Sequence, residues 1–510
     1  MLNEPGRYRV RPSSITSSSE SDRPSWAKAG SKLSASLLRP KTSVSAVPVL
    51  TECRQLHASS AAMQMAAPDA SRRHAKGRGR SRAKQSGTEV AFMSIVLRGG
   101  RLIDATGADP APAASILIED QLISKVSSSS TFRNHDAQVI DCEGLTLLPG
   151  LIDAHAHLGL VYDFAAEGDP GLVSPAEIAA WTFENCRLCL EAGFTTVRDM
   201  SGVDGGLVRA IESGAVAGPR VFPSGAAIVQ TGGHGNISGP FCHQDTVLSL
   251  PGLVQMIAIC DGPDEVTRQA RLNFRRGATQ LKAFISGGVV STTDRLEDTQ
   301  LTVEELKAAV WEAKARDTYV AGHAHNVNAI RNGLEAGLEC FEHGTMLDEP
   351  TADAMAEAGA ALDPTLAVCH LMAQEWKKWG LPEAVVPRVA GCESAMARSI
   401  KLAEKAGVLI GSGSDLLGRR QDRRGLELAL KARILSPMRA IECATIGNAR
   451  IMRQDRLLGT VEAGKLADIV AFDRDPLADP DIFDDPARAV LVIKGGAVVK
   501  NLVAEALVPA

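Results

Sequence analysis

The stretch Leu148-Pro149-Gly150-Leu151-Ile152-Asp153-Ala154-His155-Ala156-His157 decides how the rest of this chain is read. Its apolar run, Leu148 to Ile152 around Pro149 and Gly150, has the length and content of a buried strand. Side chains at i and i+2 of a strand point to the same side. His155 and His157 can therefore reach one point in space, as two ligands of one metal ion must. The same pair also fits ordinary polar residues at a strand end, so its meaning depends on what the remaining sequence brings to it.

Beyond this stretch, strand-like apolar runs recur at 194–198, 220–224, 279–285, 318–322, 338–341, 360–363 and 407–411. Helical stretches follow most of them. Ser174-Pro175-Ala176-Glu177 has an N-cap, a proline at the first helical position and a glutamate that closes a capping box. Thr302-Val303-Glu304-Glu305 repeats the box. Eight strands alternating with helices over residues 148–456 predict an α/β fold, a (β/α)8 TIM-like barrel. A doubly wound open sheet is the alternative, but no G-x-G-x-x-G follows the first strand.

Residues 93–147 read instead as short strands separated by turns, at Ser94 to Leu97, Ala114 to Ile118, Leu122 to Val126 and Val139 to Asp141. Residues 457–510 have the same texture, with strands at Ala467 to Phe472 and Ala489 to Ile493. Neither piece is large enough for a core of its own. One small β-sandwich domain built from both chain ends is the expected arrangement.

The chain has 510 residues, 45% apolar and 23% charged, the values of a soluble globular protein. No run of eighteen apolar residues appears, so no membrane span is expected. Residues 1–92 are rich in Ser, Ala and Arg and lack periodicity, which predicts disorder. No compact apolar stretch precedes a small-residue cleavage site there, so no secretory signal and a cytoplasmic location are expected. The segment could also be a transit peptide or a nucleic-acid tail, but a start called too early is favoured because Met93 opens a far more structured sequence. It holds 16 Lys and Arg against 6 Asp and Glu, whereas the remainder holds 39 against 54. An acidic body argues against nucleic acid as a partner. The ten cysteines are scattered, and the lone C-x-x-C at Cys186 and Cys189 has no second pair, so buried free thiols in a reducing compartment are expected.

In a barrel of this kind the chemistry sits at the C-terminal ends of the strands. Those ends carry His155 and His157, Lys282, His323 and His325, His343 and Asp415. Five of the chain's eleven histidines lie at these positions. Each alone could be a satisfied core or surface residue, and Asp415 in Gly413-Ser414-Asp415 could be part of a turn. Lys282 stands out, since between Leu281 and Ala283-Phe284-Ile285 it projects from a buried strand. Burying an unpaired ammonium is costly, so the position needs a reason.

These elements together resemble the metal-dependent amidohydrolase superfamily. They are the opening H-x-H strand, Lys282 before Ser286-Gly287-Gly288, Gly322-His323-Ala324-His325, Glu342-His343-Gly344, Gly413-Ser414-Asp415, and the tail Leu458-Gly459-Thr460-Val461-Glu462-Ala463-Gly464-Lys465-Leu466-Ala467-Asp468. Gly232-Gly233-His234-Gly235 and Ser286-Gly287-Gly288-Val289 are similar to the branch of prolidase-like dipeptidases and ochratoxinase, near imidazolonepropionases. The resemblance covers about residues 94–500.

The resemblance implies a binuclear metal-dependent hydrolase of small-molecule amide bonds, with two divalent metal ions, usually zinc. His155, His157 and Asp415 would bind the first ion and His323 and His343 the second, with Lys282, carboxylated by CO2, bridging them. Buried amines have lowered pKa values, so Lys282 would have a neutral form able to react with CO2. His and carboxylate ligands suit zinc and leave room for manganese or cobalt. A hydroxide shared by the ions would attack the amide carbon, and His325 would help stabilise the oxyanion. Asp415 would carry the proton to the leaving nitrogen. His234 would touch substrate from its Gly-rich loop, although a plain turn also explains those glycines. In the basic loop Leu416 to Arg424, Arg420 could recognise a substrate carboxylate, the other reading being a solvated surface.

The implied substrates are dipeptides such as Xaa-Pro or N-acyl amino acids such as ochratoxin A, with cyclic amides of the imidazolonepropionase type as the runner-up. The bridging lysine speaks against a deaminase, and six filled ligand positions against a non-catalytic structural relative. A homo-oligomer is implied by analogy. Specificity would lie in loops 160–174, 230–262 and 290–300.

Overall fold

The computed structural model describes residues 94–128, 132, 137–161, 173–236, 249–250, 253–291, 294–381 and 383–506, and the leader 1–92 lies outside them. The first five strands are β1 (Ile95–Leu102), β2 (Ala111–Glu119), β3 (Leu122–Ser127), β4 (Gln138–Asp141) and β5 (Thr146–Pro149). β1 and β2 are antiparallel, as are β2 and β3, while β4 and β5 run parallel to β1. The opening stretch, read from sequence as one strand, is therefore two. Leu148 and Pro149 end β5, and a separate strand β6 (Leu151–Ala156) starts after Gly150. The backbone turns there because Gly150 N donates to Asp468 O and Leu151 N to Gly193 O, so successive residues are held by different sheets.

From β6 onward strands and helices alternate. α1 (Pro175–Glu191) precedes β7 (Phe194–Asp199), and α2 (Gly205–Glu212) precedes β8 (Arg220–Pro223) and β9 (Ala227–Val229). A short hairpin, β10 (Ser249–Leu250) with β11 (Val254–Gln255), leads to β12 (Ile257–Ile259) and α3 (Pro263–Arg275). There follow β13 (Leu281–Phe284), α4 (Val303–Lys314), β14 (Val320–Ala324), α5 (Val327–Ala336), β15 (Cys340–His343) and α6 (Glu349–Glu357). The layer ends with β16 (Ala361–Asp363), α7 (Leu366–Gln374), α8 (Val386–Ala406), β17 (Leu409–Ile410) and α9 (Leu426–Ile434). Both capping boxes form: Ser174 caps α1 with Glu177, and Thr302 caps α4 with Glu305. No helix among the described residues is long and apolar enough to cross a membrane.

All pairings between these strands outside the hairpin are parallel, in two groups, β6-β7-β8 and β12-β9-β13-β14-β15-β16-β17. The run expected at 220–224 is the first half of a bent strand. Pro223 has no N–H to give a neighbour. β8 pairs with β7, and after the break β9 pairs with β13 and β12. The two groups join at both margins. Thr279 N donates to Pro223 O at 2.8 Å on one side. On the other, Ala154 N donates to Ser412 O at 3.1 Å and Asp415 N to His155 O at 2.8 Å. Leu281, Ala283, Ile285, Phe341 and Leu362, all fully buried, share one apolar cluster with residues of the surrounding helices.

The last strands, β18 (Ile469–Phe472), β19 (Ala489–Lys494) and β20 (Ala497–Asn501), return to the first ones. β18 pairs antiparallel with β5, so both ends of the described chain form one eight-stranded sheet. The sandwich read from sequence is here a single continuous sheet that curls on itself. Ile123 N donates to Lys465 O, and Ala467 N to Gln121 O, which brings β3 back to the segment just before β18. Right-handed twist accumulated over many strands produces such curling. The enclosed face packs Leu97, Ile116, Ile118, Leu147, Ile469 and Leu491. The opposite face packs Leu148, Val470 and Val492 against Cys186, Cys189 and Phe194 of the α/β layer.

Asn448, fully buried at the start of a short helix (Asn448–Ile451), fastens the margin between β6 and β17. Its Nδ2 donates to Ile152 O at 2.7 Å and Ser412 O at 2.9 Å, while its Oδ1 accepts from Ser412 N. Asn448→Ala takes this partner from Ile152 O and Ser412 N, each group worth roughly 1–3 kcal/mol when buried and unmet, while Ser412 O keeps Ala154 N. A loss of about 3 kcal/mol in urea unfolding is expected, and a loss near zero would show that this margin does not depend on the amide.

Candidate metal centre

His155 lies in β6 and His157 just beyond it, His323 lies in β14 and His325 just beyond it, and His343 ends β15. Asp415 follows β17. These strand ends meet. Ring centroids are 5.0 Å apart for His155 and His343, 4.5 Å for His323 and His343, and 4.6 Å for His323 and His325. Asp415 Oδ1 lies 3.2 Å from His157 Nε2 and 3.6 Å from His155 Nε2. Two sets, His323 with His325 and His343, and His155 with His343 and Asp415, each bring ligand atoms within 4.8 Å of one another. His343 (φ 69°) and Asp415 (φ 53°) both adopt left-handed backbone, a local strain of order 1–3 kcal/mol each that gathers where geometry serves function.

Lys282, on β13, is 1% exposed, and its Nζ has no hydrogen-bond partner. Burial pulls its pKa down to about 8. Its charge acts on all five imidazoles named above. Burial is also the main reason that His155 falls to about 4 and His325 to about 3, with His323 and His343 well below the ordinary imidazole value. For His157 burial acts the same way, but the hydrogen bond and charge of Asp415 outweigh it and raise the pKa. Burial works against ionisation of Asp415, and the facing histidines and Lys282 more than offset it. Four imidazoles held neutral, a fifth paired with an ionised carboxylate, and an unpartnered buried amine are a donor set suited to divalent cations.

A further layer of side chains orients these groups. His155 Nδ1 lies 2.6 Å from Glu342 Oε2, His157 Nδ1 3.2 Å from Ser201 O, and His343 Nδ1 2.7 Å from Thr365 Oγ1. Each contact occupies Nδ1 and leaves Nε2 for a ligand role, as outer-shell partners of metal-bound histidines do. Glu342 and Asp363 also approach His155, but Arg198 already fills that space. Its Nη2 donates to Glu342 Oε1 at 2.8 Å and to Asp363 Oδ2 at 2.9 Å. Asp153 accepts from Ser414 N and Oγ and from Arg424 Nη1, and so anchors the turn that presents Asp415. Sequence reading missed Arg198 and Asp363, and placed Arg424 only in a basic loop. The first carried a signal, a charged residue inside the apolar run 194–198, the same signal that singled out Lys282.

His234 is brought to the cluster. Its ring stacks on His323 at 4.6 Å and on Phe284 at 5.2 Å. Gly232 has φ +67° with nothing near a Cβ, as a turn requires, whereas a Cβ on Gly288 would lie 2.0 Å from the His234 ring. Arg420 is not tied to the imidazoles by any contact among the described residues. Its side chain is 72% exposed, 3.5 Å from Asp422. Parts of the three loops assigned to specificity lie outside the described residues.

The sequence of residues 146–499 matches the amidohydrolase family. This chain belongs to it. Ochratoxinase of Aspergillus niger is 32% identical over 433 residues, 81% of this chain and 88% of that protein. A solved prolidase in complex with N-methylphosphonate-L-proline is 33% identical with a TM-score of 0.74, over 80% of this amidohydrolase and all of that chain. A Xaa-Pro dipeptidase with bound methionine in the active site is 30% identical with a TM-score of 0.73, again over 80% of this chain and all of that one. The protein is a hydrolase acting on amide bonds.

The buried amine has a pH signature in metal-free, CO2-free protein. Between about 8 in the folded state and 10.5, its ordinary value, the unfolded chain binds a proton at Lys282 that the folded chain does not. Stability therefore rises with pH across that window. Relative to Lys282→Met, wild type should be less stable at pH 7 by on the order of 3 kcal/mol, with the gap closing towards pH 10.5. A gap that does not change with pH would show that the amine is solvated in the folded protein.

Proposed function

We propose that residues 148–456 close into a (β/α)8 barrel whose open end holds two divalent cations, zinc first with manganese or cobalt as alternatives, and cleaves the amide bond of a dipeptide or an N-acyl amino acid.

 The reading rests above all on Lys282, a buried amine with no hydrogen-bond partner whose charge acts on five buried imidazoles. His155, His157 and Asp415 would hold the first cation, and His323 and His343 the second. Lys282 would bridge them as a carbamate. Its neutral amine nitrogen adds to the carbon of CO2 and releases one proton to solvent, which turns an unpaired base into an anion. The relatives named prolidase and ochratoxinase support an amide substrate with an amino-acid half.

Two such cations, when bound, supply an acidified water and a Lewis acid for the substrate carbonyl. The chain's own residues do the rest. Asp415, kept ionised by its histidine neighbours, accepts a proton and delivers it to the leaving nitrogen. His325 Nδ1 lies 2.6 Å from Thr345 Oγ1. With that hydroxyl donating, Nε2 carries the proton and donates to the oxyanion. His234, held against His323, faces substrate from the other side.

A library of dipeptides and N-acyl amino acids assayed with zinc tests the reading. Purified protein should hold two equivalents of metal and cleave members of this set. Asp415→Asn should lower kcat by about 10²–10⁴-fold, the usual contribution of a positioned proton carrier. Lys282→Ala should be inactive and partly restored by short-chain carboxylates. Full activity of Lys282→Ala without them would remove the bridge.

A further inference from the structure

Besides Lys282, Arg388 is a partly buried cation of the α/β layer with no carboxylate partner among the described residues. Arg198 is paired with Glu342 and Asp363, Arg424 with Asp153, Arg220 with Asp468, Arg439 with Glu404 and Arg423 with Asp484. Arg388, half-buried in the first turn of α8, differs from all of these. Its Nη2 donates to Ser291 O at 3.1 Å, and its Nε is buried with no hydrogen-bond partner. Glu393 on the same helix pairs with His370 instead. Leaving a buried guanidinium edge unmet is costly unless something anionic arrives to meet it.

The backbone that holds Arg388 is also the backbone that lines the centre. Ser286 Oγ accepts from His325 N at 2.9 Å, and Gly287 O lies 3.4 Å from His323 Nε2. Gly288 makes room for the His234 ring, and three residues later Ser291 O receives Arg388. The charge of Arg388 also acts on His234 and His325.

We infer that Arg388 binds the free carboxylate of the substrate's amino-acid half, so that this enzyme selects N-acyl amino acids and dipeptides over the corresponding neutral amides. The inference rests on the hydrolytic reading above and adds the group that sets its selectivity. A guanidinium edge pairs with a carboxylate through two parallel N–H···O bonds, which fixes orientation as well as charge. In the basic loop Arg419 lies over the Trp181 ring, 5.7 Å from its centroid. Arg423 and Arg424 already have carboxylates, and Arg420 lies exposed beside Asp422.

The test compares glycyl-L-proline and N-benzoyl-L-phenylalanine with their C-terminal carboxamides, on zinc-loaded wild type, Arg388→Gln, Arg388→Lys and Arg420→Ala. Calorimetric binding of L-phenylalanine and L-phenylalaninamide is measured on the same proteins. Arg388→Gln should raise KM for the acids about 10- to 100-fold, the range for a charged hydrogen-bonded contact, with kcat changed little. It should leave the carboxamides unaffected and weaken L-phenylalanine binding in parallel, and Arg388→Lys should recover part of the loss. Equal losses on acids and carboxamides, no change in either, or the whole effect appearing in Arg420→Ala would overturn the assignment. If wild type cleaves none of the substrates, the hydrolytic reading fails on this set and the binding arm still decides. Binding of L-phenylalanine that is absent in wild type, or as tight in Arg388→Gln, rejects the role of Arg388, and its selective loss supports it.

Discussion

An amine sealed among imidazoles is the constraint around which this protein is built. Lys282 comes from the middle of a strand that a fully apolar residue would fill at lower cost. Burial lowers its pKa, and burial likewise keeps His155, His323, His325 and His343 neutral. None of these groups neutralises another. The arrangement makes chemical sense when cations occupy the space between the rings and the amine is turned into an anion that faces them, as proposed.

That arrangement needs a rigid frame, and the frame is electrostatic as well as apolar. Arg198 reaches across the layer to Glu342 and Asp363, and Glu342 in turn fixes His155. Burial of Glu342 opposes its ionisation, but Arg198 and His155 hold its carboxyl well below the usual range. On the neighbouring margin, Arg424 and Asp153 hold the turn before Asp415, while Asn448 ties β6 to the segment after β17. The strained backbone of His343 and Asp415 persists because these contacts surround it on several sides. Among the described residues Arg388 has no carboxylate partner, which is why it suits an anionic ligand that arrives from solution.

Much of this was legible in the sequence because the signals were local. The i, i+2 spacing of His155 and His157, a lysine inside an apolar run and two capping boxes each need only a few adjacent residues to be read. What sequence could not show depended on partners far along the chain. Gly150 divides an apolar run into strands of two different sheets because Asp468 and Gly193 claim its neighbouring N–H groups. The third parallel strand bends after Pro223 and changes neighbours, and the terminal strands make one curled sheet where two stacked layers were expected. Arg388 looked like an ordinary helix residue, because its meaning comes from Ser291 and from the loop that passes His234.

The most direct measurement is carbon NMR of the zinc-loaded protein equilibrated with 13C-labelled bicarbonate. One carbamate resonance is expected in wild type, absent in Lys282→Met and lost when the metal is chelated. A spectrum of the fully metallated wild type without that resonance would contradict the proposed centre.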